Sequence, residues 1–288
     1  MSLRLGLVGR GRWGRNIERT LLSFPDVSVT IIARGERPLK GIDGVLVATQ
    51  SATHAEVALP YVEAGIATFI EKPMTTAFSD ARRIQEAAMR SGAPVFIGHL
   101  FLYSPAFLAA LELLPSLGAI RYLNLEGMND NPRVDSSVLW DWLPHHLSMA
   151  GAIFGRGADS VESWGIFGGS HSEVAVSRFK FGDTPVVSTV SWLSPVRRKQ
   201  AVIVCERGTL VFDDTAERRL ALYGKQGERA YPAYSDELPL MREMAAFLQA
   251  VRSGTMDISN VKMGVDIVGA IEAAETSISL GGRPVAVR

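Results

Sequence analysis

The apolar positions of this chain follow two patterns, and the first covers residues 3–98. Short apolar runs bounded by turn residues alternate there with segments of helical period. Strands that alternate with helices in this way are typical of a parallel sheet covered by helices on both faces. The predicted strands are Leu3–Val8, 27–33, 45–49, 68–70 and 94–98, and the predicted helices are 15–23, 55–64 and 76–91, the last capped by Thr75 or Thr76 and ended by Gly92.

The second pattern begins near Gly118, where strand-like runs follow one another with hairpin punctuation. One predicted helix interrupts them, and two more follow them. This order indicates a mostly antiparallel sheet with a helix laid on it. The predicted strands are 120–128, 163–167, 173–181, 185–192, 201–205 and 209–213, and the predicted helices are 140–154, ended by Gly155, 240–252 and 261–279.

Composition narrows the class of protein. A chain of 288 residues is long enough for two domains, and 47% hydrophobic with 21% charged residues is an ordinary globular composition. Thirty basic residues balance thirty acidic ones, so we expect neither nucleic acid nor a membrane surface as partner. Cys205 is the only cysteine, and no apolar run approaches membrane-spanning length. We therefore expect a cytoplasmic protein.

Three glycines follow the first predicted strand in the spacing GxGxxG and open a predicted helix. In this context Gly9 permits a tight turn, Gly11 lets a pyrophosphate approach the backbone, and Gly14 lets helix and strand pack closely. The phosphates would lie at the helix N-terminus, where free N–H groups attract negative charge. Three glycines can also mark only a tight loop. The motif predicts a dinucleotide site that includes the intervening residues Arg10, Arg12 and Trp13.

These observations define the predicted fold class as α/β. Residues 1–117 are expected to form a dinucleotide-binding Rossmann domain with a parallel sheet. Residues 118–288 are expected to form an α+β domain with a large, mostly antiparallel sheet, for substrate binding and oligomerisation.

The identity of the dinucleotide depends on the end of the second predicted strand. An acidic residue there would hold the ribose hydroxyls of NAD, but this chain has Arg34, closely followed by Arg37. A guanidinium suits the 2′-phosphate of NADP. Glu36 is the one nearby acid and would permit NAD, and both arginines can equally be solvated loop charges. The pattern favours NADP and leaves NAD open.

Residues with catalytic chemistry stand at two places. Lys72, in Glu71-Lys72-Pro73, directly follows a predicted strand, where ligands of open α/β sheets bind, and its ammonium can stabilise a developing alkoxide. Asp141 and His145 are four residues apart, which places them on one face if the helix includes Asp141. A His–Asp pair suits proton transfer near neutral pH. Taken alone, an ordinary loop lysine and a packed or capping histidine explain the same residues.

Further candidates are basic. Arg197, in a cluster that ends at Lys199, and Arg133 are candidates for binding an anionic substrate, although a charged hairpin tip would explain the cluster as well. The five histidines have no spacing typical of a zinc site, so we predict no metal.

Together these segments resemble the Gfo/Idh/MocA oxidoreductase family, the glucose–fructose oxidoreductase and inositol dehydrogenase group. The resemblance extends from Leu5 to Val285. The segments that carry it, in family order, are GLVGRGRWG (6–14), VATQSATHAEVA (47–58), EKP (71–73), GHLFLYSPAF (98–107), LWDWLPHHLSMAGAIFG (139–155), SWLSPVRRKQAVIVCERGTLVFDD (191–214) and ISLGGRPV (278–285).

The resemblance implies a role for several residues. Lys72 matches the active-site lysine, whose bond to Pro73 is usually cis in relatives, and His145 matches the histidine credited with proton transfer. Asp141 matches a frequent aspartate and would orient His145. Other matching positions contact the cofactor: Thr49 and His54 on the nicotinamide side, and Glu71 in the same region. The implied activity is hydride transfer between NAD(P) and a carbohydrate hydroxyl or keto group, by a dimer or tetramer formed through the open face of the second sheet.

Two features qualify the resemblance. Segments 133–148 and 191–198 look most like the branch that oxidises nucleotide-linked sugars, which would give Arg133 and Arg197 an anionic substrate. The helix and strand expected between the second strand and Val45 are missing or shortened, which removes part of the usual adenosine wall. The shortening leaves two alternatives: a non-catalytic NADP-binding sensor, and a reductase of another small molecule, as biliverdin reductases resemble this family.

Overall fold

The computed structural model describes residues 2–133 and 136–288. Val134 and Asp135, which belong to a segment that carries the family resemblance, lie outside the described residues. The chain divides into two compact units. The first unit contains residues 1–100 and 237–268, and the second contains residues 101–236 and 269–288.

The first unit holds a five-stranded parallel sheet with strand order β2-β1-β3-β4-β5. Strands β3 and β4 are buried along their whole length because helices cover both faces. Its first eight elements are β1 (Leu3–Val8), α1 (Arg12–Leu21), β2 (Val27–Ile32), β3 (Gly44–Val47), α2 (His54–Glu63), β4 (Ala67–Glu71), α3 (Phe78–Ser91) and β5 (Val95–Gly98).

The second unit holds a nine-stranded sheet in which only β6 and β9 pair in parallel; its other pairs are antiparallel. Helix α5 packs against β6, β8 and β9. The elements are α4 (Pro105–Leu113), β6 (Ile120–Asp130), α5 (Val138–Phe154), β7 (Ser160–Gly168), β8 (His171–Phe181), β9 (Thr184–Ser191), β10 (Leu193–Cys205), β11 (Gly208–Asp213), β12 (Leu220–Gly224), β13 (Arg229–Ala230) and, near the C-terminus, β14 (Val285–Ala286).

Two helices follow β13, α6 (Pro239–Ser253) and α7 (Ile258–Ser279). Phe247 of α6 packs edge-on against Phe69 of β4 and Phe96 of β5, with ring centroids 5.6 and 6.0 Å apart. In α7, the Oδ1 atom of Asn260 accepts a hydrogen bond from the backbone N–H of Ile97 at 2.6 Å. Both contacts cover the parallel sheet of the first unit.

The predicted α/β class, with a parallel sheet followed by a large, mostly antiparallel one, is confirmed. The expected division at residues 117 and 118 differs from the units of the structure, because α6 and the start of α7 pack on the sheet formed by residues 3–98. The contacts that attach them join residues about 160 positions apart, which a local pattern does not reveal.

Several local predictions were wrong. Helix α1 begins at Arg12 rather than Arg15. The residue that caps α3 is Ala77, without a side-chain cap; the Thr75 hydroxyl donates instead to the Ala77 carbonyl. The basic cluster 197–199 is no hairpin tip, since it lies inside the long strand β10. Helix α4 and strand β12 were not predicted.

Helix lengths and hydropathy also bear on membranes. Within residues 2–133 and 136–288, no helix combines the length and apolar character needed to cross a bilayer.

Candidate active site

The first part of the candidate site is the turn between β1 and α1. Strand β1 lies between β2 and β3, so the chain reverses direction across the sheet here, and open α/β sheets bind ligands at such a point. Gly9 has φ +97°, and a Cβ placed on it would lie 2.4 Å from the Ala48 carbonyl oxygen. A Cβ on Gly14 would lie 2.0 Å from the Gly9 oxygen. These two glycines are therefore required by the packing of the turn itself.

Gly11 differs from its two neighbours. A Cβ on Gly11 would meet no protein atom within 4 Å, and its backbone caps α1 without a side-chain hydrogen bond. The first turn of α1 contains no acidic residue, so its free N–H groups and dipole favour an anion. This open backbone at a helix N-terminus fits the pyrophosphate of a dinucleotide.

The charged residues around this turn are already partly paired. Arg10 forms an ion pair with Glu18 at 2.8 Å, whereas Arg12 is exposed. After β2, Arg37 pairs with Glu56 at 3.3 Å, and Arg34 is exposed. The Glu36 carboxylate accepts a hydrogen bond from the backbone N–H of Ala33 at 3.3 Å, so an acid also lies at the end of β2.

The ends of β3 and β4 bring the next group of predicted residues together. His54 is buried, with Nδ1 2.9 Å from the Pro73 carbonyl oxygen and Nε2 3.2 Å from that of Thr49. Burial lowers the pKa of His54, so its ring is neutral at pH 7 and donates to one of the two carbonyls. The peptide bond between Lys72 and Pro73 is cis.

The Glu71 carboxylate joins this group to the glycine turn. One carboxylate oxygen accepts a hydrogen bond from the Trp13 indole N–H, and the other accepts one from the backbone N–H of Lys72 at 3.1 Å. Burial raises the pKa of Glu71 to about 7, although the Trp13 hydrogen bond and the Lys72 charge act in the opposite direction. Trp13 and Lys72 are thus both held by one buried side chain.

In the second unit, α5 carries the other predicted catalytic residues. The helix includes Asp141, so Asp141 and His145 lie four residues apart within it. The helix start is fixed by Glu275, whose Oε1 accepts hydrogen bonds from the Ser137 hydroxyl and the Trp140 indole, both at 2.9 Å. Burial raises the pKa of Glu275.

The Asp141 carboxylate lies in a polar cluster. Its Oδ2 accepts a hydrogen bond from the Trp192 indole at 3.1 Å, and its Oδ1 lies 3.2 Å from the Arg133 guanidinium. The His145 ring meets Phe101 edge-on, with centroids 5.0 Å apart. The structure therefore brings Arg133 and Asp141 together, and it places His145 on the same helix.

The remaining basic candidates lie on β10. Arg198 pairs with Glu126 at 2.7 Å and Lys199 with Asp214 at 3.5 Å, whereas Arg197 is exposed. Arg198 is exposed as well, with 52% of its side-chain surface accessible, so both arginines of this cluster can reach a ligand.

Three site residues were not predicted from the sequence. Trp192 and His99 both lie in segments that carry the family resemblance, but neither was assigned a role. Glu243 had a detectable signal, because it occupies a position in α6 where the helical period otherwise places apolar residues. Within the described parts of the chain, no group of three or more His, Cys, Asp or Glu side chains is arranged to hold a metal ion.

Comparison with known proteins agrees with this geometry. The model of the Gfo/Idh/MocA family, described as an oxidoreductase family with an NAD-binding Rossmann fold, matches residues 23–99. Myo-inositol dehydrogenase Hyg17 of Streptomyces leeuwenhoekii is 25% identical over 287 residues, covering 92% of this chain and 88% of that protein.

Solved structures have the same fold. A candidate oxidoreductase from Magnetospirillum magnetotacticum MS-1 has a TM-score of 0.84 and 27% identity, with 95% of this chain and 99% of that chain covered. An inositol dehydrogenase homolog from Azotobacter vinelandii, solved with NADH and myo-inositol, has a TM-score of 0.82 and 17% identity, with 99% and 98% covered.

The glycine turn in a parallel sheet and the similarity to NAD-binding oxidoreductases support an NAD(P)-dependent oxidoreductase. The chain is similar to the Gfo/Idh/MocA oxidoreductase family, whose model matches residues 23–99.

Replacing the two kinds of glycine should separate binding from folding. We expect Gly11→Ala to change the free energy of unfolding by less than about 0.5 kcal/mol, because its Cβ meets open space. It should weaken NADH binding about tenfold or more, because the new methyl group obstructs the pyrophosphate. Gly14→Ala should cost about 1–3 kcal/mol of stability, because its Cβ collides with backbone. Thermal unfolding and fluorescence titration with NADH measure the two effects. Equal stability loss in both variants would contradict this assignment.

Proposed function

We propose that the protein interconverts a carbohydrate hydroxyl and the corresponding ketone, with Lys72, His145 and Asp141 as its catalytic residues. The observation that carries the proposal is the position of Lys72 at the carboxyl end of β4, with its backbone N–H bound to buried Glu71. The names of the relatives support a carbohydrate substrate, since they include myo-inositol dehydrogenases.

The proposed reaction removes a hydride and a proton from the same carbinol. The nicotinamide, when bound, supplies the hydride acceptor. His145 removes the hydroxyl proton as general base, and Asp141 stabilises the imidazolium that results. The Lys72 ammonium donates a hydrogen bond to the substrate oxygen and stabilises its developing negative charge. In the reductive direction His145 returns the proton to the oxygen.

Two exposed arginines suggest that the carbohydrate substrate carries a negative charge. Arg197 is exposed on β10, and Arg133 is half-exposed beside Asp141. Guanidinium groups bind phosphate and carboxylate in pairs of hydrogen bonds. We therefore propose that nucleotide-linked sugars or sugar acids belong in the substrate panel beside inositols and free sugars.

The catalytic assignment predicts large losses in two variants. Lys72→Ala and His145→Ala should each lower kcat/KM by about 10²–10⁴ on the substrate that the panel identifies, because each removes a group that acts on the reacting oxygen. Steady-state kinetics with NAD and NADP measures the loss. Lys40→Ala and His171→Ala serve as matched controls and should retain full activity.

Three outcomes would contradict the assignment in different ways. Full activity in both variants would remove Lys72 and His145 from catalysis. Tight cofactor binding without turnover of any panel member would favour a sensor. Reduction of a small molecule that is not a carbohydrate, at a rate that neither substitution changes, would favour a reductase of another small molecule.

We further propose NADP as the preferred cofactor. Arg34 and Arg37 are both exposed after β2, and Arg37 pairs with Glu56 at 3.3 Å, so Arg34 is the guanidinium that we assign to the 2′-phosphate. Wild-type protein should bind NADPH more tightly than NADH, and Arg34→Asp should shift this ratio about tenfold or more towards NADH, because a charge-assisted hydrogen bond contributes ~1.5–3 kcal/mol. Fluorescence titration measures both affinities, with Arg19→Asp as control. Tighter NADH binding that Arg34→Asp leaves unchanged would show that Glu36 decides the preference.

We also propose that the outer face of the nine-stranded sheet binds a second copy of the chain. Trp164, Ile166 and Val176 lie on adjacent strands with 51%, 62% and 41% of their surface exposed. Such a row of apolar side chains is typical of an interaction face. That the partner on this face is a second copy of the chain is what the family resemblance implies.

This assembly predicts a change of mass in solution. Ile166→Glu should lower the mass measured by light scattering towards that of one 31.2 kDa chain, because it places a charge in the apolar contact. Met89→Glu, an equally exposed apolar position in the first unit, should leave the mass unchanged. A wild-type protein that is already monomeric at high concentration would disprove the proposal.

A further inference from the structure

Two carboxyl side chains are buried in the first unit. Glu71 at the end of β4 is 8% exposed, and Glu243 on α6 is 0% exposed. Neither carboxyl oxygen of Glu243 has a hydrogen-bond partner among residues 2–133 and 136–288. A carboxylate with no partner is expensive to bury, whereas a protonated carboxyl costs much less. A residue of this kind needs an explanation beyond packing.

Packing directs both side chains to the same side of the sheet. Glu243 precedes Phe247 by four residues, so the two occupy one face of α6. Phe247 packs on Phe69, which shares a face of β4 with Glu71 two residues later. Helix α6 therefore presents Glu243 towards the end of β4.

Gly98 lies beside both the Phe69 ring and the Glu71 carboxyl. It pairs with Glu71 across β4 and β5, and a Cβ on it would lie 2.8 Å from the Phe69 ring and 3.5 Å from the Glu71 Cδ atom. A larger residue at this position would collide with the Phe69 ring, which shares a face of β4 with Glu71. The site thus holds Glu71 where it accepts hydrogen bonds from both Trp13 and Lys72.

Burial raises the pKa of Glu71 to about 7, although the Trp13 hydrogen bond and the Lys72 charge lower it. Helix α1, which packs on α6, carries Arg12, Arg15 and Arg19, whose side chains are exposed. Burial and the nearby charge of Glu71 raise the pKa of Glu243 well above its usual range. His54 and His99 are the buried histidines of this unit, and burial lowers both of their pKa values, His99 to about 4. They are neutral where the carboxyl pair titrates, so the pair's charge is balanced mainly by Lys72.

We propose that Glu243 is a positioning residue that stays protonated beside Glu71, and that the absence of a second negative charge keeps Glu71 bound to both Trp13 and Lys72. Glu71 then couples the cofactor-binding turn to the catalytic lysine. The inference rests on the proposed function only for the role of Lys72. Its central claim, that the pair supports cofactor binding, stands without any substrate.

The proton gives the pair a predictable pH dependence. Both pKa values are raised above the ordinary value of 4.5, so the folded state binds these protons more tightly than the unfolded state does. The stability they contribute is complete below pH 4.5 and is lost as pH rises through about 7 and beyond. At high pH two adjacent carboxylates repel each other, and Glu71 is displaced from its donors.

The decisive variant is Glu243→Gln, which keeps the shape of the protonated acid but does not ionise. We measure NADH affinity by fluorescence titration and the melting temperature from about pH 7.5 to 9.5, where Glu71 is mostly ionised. NADH avoids the titrating 2′-phosphate of NADPH. Wild-type affinity should fall about tenfold across this range, and E243Q should change less than about twofold. The melting temperature of E243Q should also fall less with pH. The exposed Glu86→Gln is the charge-matched control and should behave as wild type.

Two further measurements separate positioning from a structural role. Trp13→Phe removes the indole donor but keeps the carboxyl pair, so its NADH affinity should lose the pH dependence while its melting temperature keeps it. Infrared spectroscopy at pH 8 should show the C=O band of a protonated carboxyl in wild type and not in E243Q.

The proposal is overturned if E243Q retains the wild-type pH dependence of both NADH affinity and melting temperature. It is also overturned if the protonated-carboxyl band persists in E243Q. Should E243Q fail to fold, Glu71→Gln relieves the same repulsion from the other side, and its melting temperature must then become less dependent on pH. None of these results requires turnover, so failure to find a sugar substrate would affect only the proposed function.

Discussion

The candidate site residues of the first unit depend on the hydrogen bonds that the buried Glu71 carboxylate accepts. A carboxylate loses most of its hydration at this depth, and it remains there only because hydrogen bonds replace the lost water. Its donors come from two different functional segments, the Trp13 indole of the glycine turn and the backbone N–H of Lys72. Parallel strands make this possible, because their carboxyl ends all reach one edge of the sheet. The same side chain therefore joins Trp13 of the glycine turn to Lys72, the residue proposed to act on the substrate.

In the second unit, too, carboxylates are held by hydrogen bonds from neighbouring side chains. Helix α5 contains its own acid and base, and buried Glu275 fixes the helix start through Ser137 and Trp140. The Asp141 carboxylate is held in turn by the Trp192 indole. Next to these residues, His146 faces the sheet, with Nδ1 2.7 Å from the Ser188 hydroxyl, and burial lowers its pKa to about 3. Two adjacent histidines thus have different environments, one packed as a neutral core residue and the other on the face that carries Asp141.

Much of the fold could be predicted because its signals are local. Strand β1, the three glycines and α1 follow one another within the first 21 residues, so their spacing is visible in the sequence. The charged residues of β10 were harder to predict, because in the sequence they resemble a hairpin tip. Their ion-pair partners lie on β6 and in the loop that follows β11. The prediction that Thr75 caps α3 was wrong for a related reason. The Thr75 hydroxyl donates a hydrogen bond to the Ala77 carbonyl instead. Local propensity predicts elements well where no distant partner competes for the same groups.

The sequence by itself determined the order of strands and helices in residues 3–98, the glycine turn and the identity of the residues at the strand ends. These depend on periodicity and on the backbone freedom of glycine, both of which are properties of neighbouring residues. Only the tertiary structure decided that α6 packs on β4 and β5 and so brings Glu243 to Glu71. It alone also joined Trp13 to Glu71 across 58 positions and Trp192 to Asp141 across 51. Burial and long-range pairing set the charge of these groups, and neither can be calculated before the chain has folded.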